Sequence, residues 1–242
     1  MARVAPVALT VVFVGPTLPA AEARARLSGA DVRPPAAVGD VLAAIASRDV
    51  RRVALIDGYF ERMAAVWHKE LLLAIERGVE VWGAASMGAL RAAELARFGM
   101  RGVGQVYRGF ASGRLEADDE VAVAHLPAEL GYAAASDALV NLRDGIARAP
   151  GLSAATRGKL VELARARFYR DRSWAQLDAD ARAAGLPRRE LDALARWPKP
   201  DRKAADARLL LRRLAASPVR PRRAGAKVPR TWAFRRLLDG AW

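Results

Sequence analysis

The sequence predicts an α/β protein, with a parallel sheet and flanking helices followed by an all-helical basic C-terminal region. Short apolar runs rich in β-branched residues alternate with helix-like segments up to about residue 150, and after Gly151 the strand signals vanish. The charge divides at the same place. Residues 1–150 hold 17 basic and 17 acidic residues, while residues 151–242 hold 23 and 9 and so carry the whole net charge of +14. We therefore expect two regions, 1–150 with the chemistry and 151–242 docking to an acidic partner; an arginine-rich composition without such a role is the alternative.

Composition limits the possible functions. With 52% hydrophobic residues, a chain of 242 residues can bury a core without metals or crosslinks. The absence of cysteine excludes disulfides and thiolate metal sites and fits a reducing compartment. Two histidines are too few for a multi-histidine metal site, and we expect neither a metal nor a cofactor.

The N-terminus imitates a secretion signal, because Arg3 precedes the apolar run Val7–Val14 and a small-residue segment follows. That run is short, β-branched and closed by Gly15-Pro16, so we favour a buried strand and a cytoplasmic location. No apolar run reaches the roughly 18–20 residues needed to cross a bilayer.

Four strands and four helices alternate in the first region. The predicted strands are Ala8–Val14, Asp31–Arg33, Arg52–Gly58 and Val79–Gly83. The predicted helices are Ala20–Leu27, Val41–Ser47 with Asp40 as its cap, Met63–Arg77 and Ala89–Phe98. Pro34-Pro35 stops the second strand, and Gly78 and Gly99 end the last two helices.

The second region has only helical patterns, and a basic tail follows them. The predicted helices are Ser153–Tyr169, Ser173–Ala184, Pro187–Arg196 and Asp201–Leu214, and the tail Ser217–Pro229 is expected to be extended or mobile.

Three candidate site residues follow strands. Gly15, Asp57 and Ser86 each come at or just after a strand's carboxyl end, where parallel sheets bind ligands. Around Ser86 the chain reads Ala84-x-Ser86-x-Gly88, which is typical of a nucleophile elbow: the turn exposes a hydroxyl, and N–H groups near Met87 and Gly88 can bind an oxyanion. Two alternatives are a helix N-cap and an anion site without a nucleophile.

A nucleophilic serine needs a base, and His68 is the preferred one. It begins an apolar helical stripe shortly after Asp57, which we prefer over Glu70 as the residue that orients the imidazole. A buried core histidine is the alternative, and His125 is the second candidate base.

Further charged residues surround this constellation in sequence. Arg91 can hold an anion or form a helical ion pair with Glu94. The acids Asp118, Asp119 and Glu120 could bind Mg²⁺ through oxygen, although a solvated turn is the more ordinary interpretation.

Five segments, in this order, make the chain resemble TfuA-like proteins: Val12–Thr17, Ile56–Phe60, Val66–Glu70, Gly83–Glu94 and Asp118–Ala122. The resemblance covers roughly residues 8 to 150, and the Gly83–Glu94 block is its most specific part. The run Ala-Ser-Met-Gly is also similar to the serine motif of Clp-type proteases, which supports acyl chemistry only.

The resemblance implies partnership with a YcaO-type cyclodehydratase, which activates a peptide backbone amide with ATP, and a role in replacing the amide oxygen by sulfur. Because the chain has no cysteine, it cannot relay sulfur as a persulfide. A thiocarboxylated ubiquitin-like sulfur carrier is therefore the expected donor, and a precursor peptide is a possible further partner.

We weigh three hypotheses. The first is a serine acyl-transfer hydrolase that liberates sulfide, the second a non-catalytic adaptor that recruits peptide or sulfur donor to YcaO, and the third a generic serine hydrolase or peptidase. Nucleic acid is a less favoured partner, since no nucleic-acid-binding motif accompanies the basic charge.

Overall fold

In the computed structural model, which describes residues 9–60, 63–219 and 225–240, five parallel strands form one sheet. Their order is β2-β1-β3-β4-β5. The strands are β1 (Leu9–Phe13), β2 (Asp31–Arg33), β3 (Val50–Leu55), β4 (Glu80–Ala84) and β5 (Arg101–Val103). The predicted α/β class, with a parallel sheet and a helical region after it, is confirmed.

Helices connect the strands and make up most of the remaining chain. They are α1 (Ala20–Arg26), α2 (Asp40–Ala44), α3 (His68–Glu76), α4 (Met87–Leu95), α5 (Gly104–Ala111), α6 (Leu139–Arg148), α7 (Ala154–Ala166), α8 (Trp174–Ala183), α9 (Arg188–Arg196), α10 (Arg202–Ala216) and α11 (Trp232–Leu238). The four helices predicted after residue 150 correspond to α7 to α10. None of the helices in the described ranges combines the length and apolarity that a membrane crossing requires.

The strand order reverses between β1 and β3, and this reversal opens a crevice at the carboxyl edge of the sheet. The register aligns the strand ends: Phe13 lies opposite Leu55, and Leu55 lies opposite Gly83. The loops that follow β1, β3 and β4 therefore meet at one edge.

Both faces of the sheet are buried, which explains why its strands read as nearly continuous apolar runs. On one face α2, α3, α4 and α11 pack against side chains such as Val53 and Leu55. On the other face α1 and α10 pack against side chains such as Ala54 and Ile56. Helices α6 to α9 form a separate apolar cluster. The division at residue 150 stays a prediction, and α10 brings part of the second region onto the sheet.

Several local features differ from the sequence predictions. Strand β5 and helices α5 and α6 were not predicted. Helix α3 begins at His68 instead of Met63. Asp40 is the first residue of α2 and not its cap: Gly39 takes the cap position with a φ of 90°, and the Asp40 carboxylate accepts a hydrogen bond from the Ala37 N–H at 2.7 Å.

The two ends of the chain were predicted as a strand and an extended tail. Strand β1 confirms the first prediction from Leu9 onward, while residues 1–8 lie outside the described residues. Residues 220–224 of the predicted tail also lie outside them. Residues 225–231 have no regular secondary structure, and there the Val228 N–H donates to Glu76 of α3 at 2.7 Å.

Candidate active site

A cavity of about 580 Å³ opens at the carboxyl edge of the sheet. Asp57 and Gly58 after β3, Ser86 and Met87 around the start of α4, and His125 from the segment between α5 and α6 all contribute to its lining. The structure therefore gathers the predicted nucleophile, the strand-end acid and one of the two histidines around one space.

Ser86 follows a strained turn. The Ser86 N–H donates to the Ala84 carbonyl at 2.8 Å, and Ala85 between them has a φ of 67°. A hydrogen bond between residues i and i+2, with a positive φ at the residue between them, defines the γ-turn that is rare and strained. The Ser86 hydroxyl makes no N-cap hydrogen bond, and it has no hydrogen-bond partner within the described residues. A pure capping role for Ser86 therefore has no support in the structure.

Two glycines let β3, β4 and α4 approach each other closely at this turn. A Cβ on Gly88 would lie 1.8 Å from the Leu55 carbonyl oxygen, and one on Gly83 would lie 2.0 Å from the Gly88 oxygen. No side chain fits at such distances. The sequence pattern placed the required small residue before the serine at Ala84. In the structure, the position before the serine that tolerates no side chain is Gly83.

Backbone N–H groups that could bind an oxyanion are available at two residues of the cavity. Met87 begins α4, and Gly58 follows β3; neither N–H is donated to another group in the part of the chain described. The Gly88 N–H is already donated to the Ile56 carbonyl at 3.2 Å, and the Gly15 N–H to Asp57 at 2.8 Å. An N–H after the nucleophile together with one from a neighbouring strand's loop is the donor pair of an oxyanion hole.

His68 faces a different group. Its Nε2 lies 2.8 Å from Glu94 Oε2, its side chain is 46% exposed, and it is not among the residues that line the cavity. Glu94 stands eight residues after Ser86 on α4, about 12 Å along the helix axis. Burial raises the pKa of Glu94, but hydrogen bonds from His68 and Arg91 outweigh it and lower the pKa. His68 is thus part of a hydrogen-bonded cluster with Glu94 and Arg91, and of these three residues Glu94 and Arg91 line the cavity while His68 does not.

Arg91 joins this cluster from the cavity side. Its guanidinium donates to Glu94 at 2.8 Å and to the Val66 carbonyl at 3.4 Å, and its side chain is largely buried in the cavity lining. Both sequence interpretations of Arg91 therefore have a structural basis, because it forms the helical ion pair and also presents a positive charge to the cavity.

His125 lines the same cavity as Ser86. Its Nδ1 lies 2.8 Å from the Leu126 carbonyl oxygen. A carbonyl only accepts, so this bond requires the proton on Nδ1 and leaves Nε2 of the neutral ring as an acceptor. The segment is fixed by a bridge between His125 and Ala134 and by a 2.8 Å bond from the Ala124 N–H to the Ser136 hydroxyl.

Two tyrosines flank the His125 ring. The centroids of the Tyr59 and Tyr132 rings each lie 5.8 Å from that of His125. Burial and a hydrogen bond with Tyr132 raise the pKa of Tyr59 to about 12, so its phenol stays neutral over the physiological range. These aromatic rings confine the imidazole next to the cavity.

Asp57 is buried and organises the loop after β1. One carboxylate oxygen accepts from the N–H groups of Gly15 and Thr17 at 2.8 and 3.1 Å, and the other accepts from the Thr17 hydroxyl at 2.6 Å. The structure shows no hydrogen bond between Asp57 and either histidine among the described residues. The hydrogen bonds of Asp57 therefore fix the loop after β1, which forms part of the cavity wall.

The remaining acids are mostly occupied elsewhere. Asp119 pairs with Arg172 at 2.6 Å and Glu120 with Arg143 at 2.7 Å, while Asp118 lines the cavity. In the described ranges no group of three or more histidine, aspartate or glutamate side chains is arranged to hold a metal ion.

Glu70 also belongs to the helix framework and not to the cavity. Its carboxylate accepts from the N–H groups of Trp67 and Gly39 at 3.0 and 2.9 Å, and burial raises its pKa.

Residues 57–173 match the family model described as TfuA-like protein. Over this segment the chain is similar to TfuA-like proteins. The matched segment contains Ser86, Met87 and His125, and thus most of the cavity, and the family is associated with YcaO proteins. No curated protein matches the chain.

Some functional candidates were missed in the sequence. Gly58 was seen only as a strand-ending turn residue and as part of a family motif, although the Asp57-Gly58 pair follows a buried strand at the edge where ligands bind. Thr17 was noted only as part of a family motif. Lys203, whose Nζ donates to the Val121 carbonyl in the cavity wall at 2.8 Å, gave no signal, because its neighbours in the sequence form an ordinary helical pattern.

Proposed function

We propose that this TfuA-like protein is a serine hydrolase that releases sulfide from a thiocarboxylated ubiquitin-like carrier for a YcaO enzyme, which uses the sulfide to form a backbone thioamide. The observation that carries the proposal is the Ser86 hydroxyl on a strained turn, in the lining of the same cavity as His125. Within the described residues, this hydroxyl and the nearby N–H groups of Met87 and Gly58 have no hydrogen-bond partner. The absence of cysteine supports a carrier-bound donor, and we place the reaction in a reducing cytoplasm.

In the proposed mechanism, the Ser86 oxygen attacks the carbonyl carbon of the carrier's C-terminal thioacid. Nε2 of His125 accepts the hydroxyl proton, and the N–H groups of Met87 and Gly58 stabilise the oxygen that becomes negative. The C–S bond then breaks, and the sulfide takes the proton from His125. The products of this half are an ester on Ser86 and hydrogen sulfide.

Water completes the reaction. His125 removes a proton from a water molecule, the hydroxide attacks the ester carbonyl, and the proton returns to the Ser86 oxygen as the ester breaks. The net change is hydrolysis of the thioacid to a carboxylic acid and hydrogen sulfide, without an oxidant or reductant. His125 replaces His68 as the proposed base because it shares the cavity with Ser86 and its hydrogen bond directs Nε2 to accept a proton.

The choice between a hydrolase and an adaptor can be tested in a reconstituted reaction. YcaO, peptide, ATP and the thiocarboxylated carrier are combined with either the wild-type protein or Ser86→Ala, and thioamide is measured by mass spectrometry. We expect Ser86→Ala to lower the rate by about 10³-fold. A rate close to wild type would support the adaptor instead, because a protein that only recruits partners does not need the hydroxyl.

The control for this experiment is Ser112→Ala. Ser112 lies just after α5, is exposed, and donates its hydroxyl to the Gly109 carbonyl away from the cavity lining. This variant should retain the wild-type rate. Inorganic sulfide supplied in place of the carrier should restore thioamide formation with Ser86→Ala, because the YcaO reaction itself is then intact.

A further inference from the structure

A short stretch of the cavity wall is held by three cations from the helical part of the protein. Residues 119–121 lie between Asp118 and Ala122, which both line the cavity. Arg172, which is 2% exposed, donates to the Asp119 carbonyl at 2.9 Å and to its carboxylate at 2.6 Å. Each of the next two residues is held by a cation from a different helix.

Arg143 of α6 makes three hydrogen bonds of 2.7 to 3.2 Å to the buried Glu120 carboxylate. Lys203 of α10 donates its Nζ to the Val121 carbonyl at 2.8 Å. Three consecutive residues are thus tied to α6, to α10 and to the segment between α7 and α8, and one of these cations, Lys203, lies beyond the part of the chain that matches the family model.

Lys203 is the most unusual of the three cations. It is 2% exposed, and the bond to Val121 is the one hydrogen bond its ammonium makes within the described residues, although an ammonium has three donors. Burial lowers its pKa, and the charges of Asp57 and Asp201 oppose this effect. Burial of an ammonium that makes a single hydrogen bond is costly, so replacing it by an apolar side chain of similar length recovers desolvation energy that offsets the loss of that bond.

We propose that Lys203 is a positioning residue that holds the cavity wall so that the His125 imidazole is directed toward Ser86. The wall is fixed at its start by Lys203 on Val121 and at its end by Ser136 on Ala124, immediately before His125. This inference rests on the proposed function of His125 as the base. It also gives the basic C-terminal region a role inside the active site, in addition to any docking role.

The size of the effect follows from the geometry that proton transfer demands. A base must come within about 2.6–3.2 Å of its proton donor, and a displacement of about 1 Å can lower the rate by about 10²-fold. Loss of the Lys203 bond frees the Val121 carbonyl four residues from the imidazole. We therefore expect kcat to fall by about 10²-fold while KM changes little, because the binding surface for the carrier remains.

The test compares Lys203→Met with Lys199→Met in the full-length protein. Lys199 is a matched control, because its Nζ also donates to main-chain carbonyls, those of Leu194, Ala195 and Trp197, but away from the cavity. Sulfide release from the thiocarboxylated carrier gives kcat and KM, and thermal unfolding reports stability. In a His68→Gln background the one remaining histidine is His125, so NMR with labelled histidine reports its environment directly.

We expect Lys203→Met to unfold at a temperature no lower than Lys199→Met, to lose about 10²-fold in kcat, and to shift the His125 resonances. A kcat within about twofold of the control, or unshifted His125 resonances, would overturn the proposal. If Lys203→Met does not fold, Arg143→Met is measured instead, because it removes the hydrogen bonds that hold the neighbouring residue Glu120. Arg143→Met should then shift the His125 resonances, and unshifted resonances would overturn the proposal. The NMR measurement needs no turnover, so a wild-type protein that releases no sulfide overturns the hydrolase but leaves this test intact.

Discussion

Substitution of Gly88 by alanine tests whether close packing between α4 and β3 creates the serine turn. The new Cβ would lie 1.8 Å from the Leu55 carbonyl oxygen, whereas ordinary contact begins near 3.4 Å. Helix α4 must therefore move away by roughly 1.5 Å, and the bond from the Gly88 N–H to the Ile56 carbonyl is weakened with it. Overpacking costs about 1–3 kcal/mol and the lost bond about 1 kcal/mol, while alanine's better helix propensity returns about 1 kcal/mol.

The net expectation for Gly88→Ala is a loss of about 1–3 kcal/mol in the free energy of unfolding, measured by urea denaturation. Gly158→Ala is the matched control, because Gly158 lies within α7 and a Cβ there would meet nothing within 4 Å. This control should gain about 0.5–1 kcal/mol. Equal stability of the two variants would refute the packing argument.

Three further predictions concern single side chains. Thr17→Val removes the 2.6 Å hydrogen bond to Asp57 and should lower the free energy of unfolding by about 1–2 kcal/mol in urea denaturation. Asp57→Ala removes the three hydrogen bonds that Gly15 and Thr17 make to that carboxylate and should lower it by about 3 kcal/mol. Equal losses for the two variants would contradict the assigned network. Hydrogen bonds from two arginines, on α10 and α1, lower the pKa of Glu22 from 4.5 to about 2, so the folded state gains stability above pH 4.5 and loses it as the pH falls toward 2. Glu22→Gln should therefore be less stable than wild type by about 0.5–1 kcal/mol at pH 7 and nearly equal to it near pH 2, and a difference that does not shrink with falling pH would exclude this pair as its source. His125→Gln should lower sulfide release by about 10²–10⁴-fold and His68→Gln by less than about twofold, and the reverse order would restore His68 as the base.

Much of the sheet could be predicted from the sequence because its strands are buried on both faces. Runs such as Val50–Leu55 are apolar, β-branched and closed by turn residues, so both their type and their position are local properties. Strand β5 escaped prediction because its three residues, Arg101–Val103, carry no such pattern and are defined by pairing with β4. Residues 63–67 have a helical composition but are not helical in the structure, so helix α3 begins at His68, later than the sequence predicts.

The nucleophile could be predicted from the sequence, whereas its proposed base could not be chosen there. Ser86 stands in a local pattern of small residues between a strand and a helix, and that pattern fixes its environment. His68 and His125 differ in the segments that pack against them. His68 forms a hydrogen bond with Glu94 on α4, whereas His125 pairs with Ala134 and lies in the cavity lining. Such contacts depend on long-range packing, which periodicity does not encode.

Sulfide release from a purified thiocarboxylated carrier, measured without YcaO, tests the central proposal most directly. Wild-type protein should convert the carrier's thioacid to a carboxylic acid with release of one equivalent of sulfide, and Ser86→Ala should be slower by about 10³-fold. A brief incubation followed by acid quench should also trap an ester on Ser86 of the wild-type protein. An unchanged thioacid in the presence of folded wild-type protein would contradict the account.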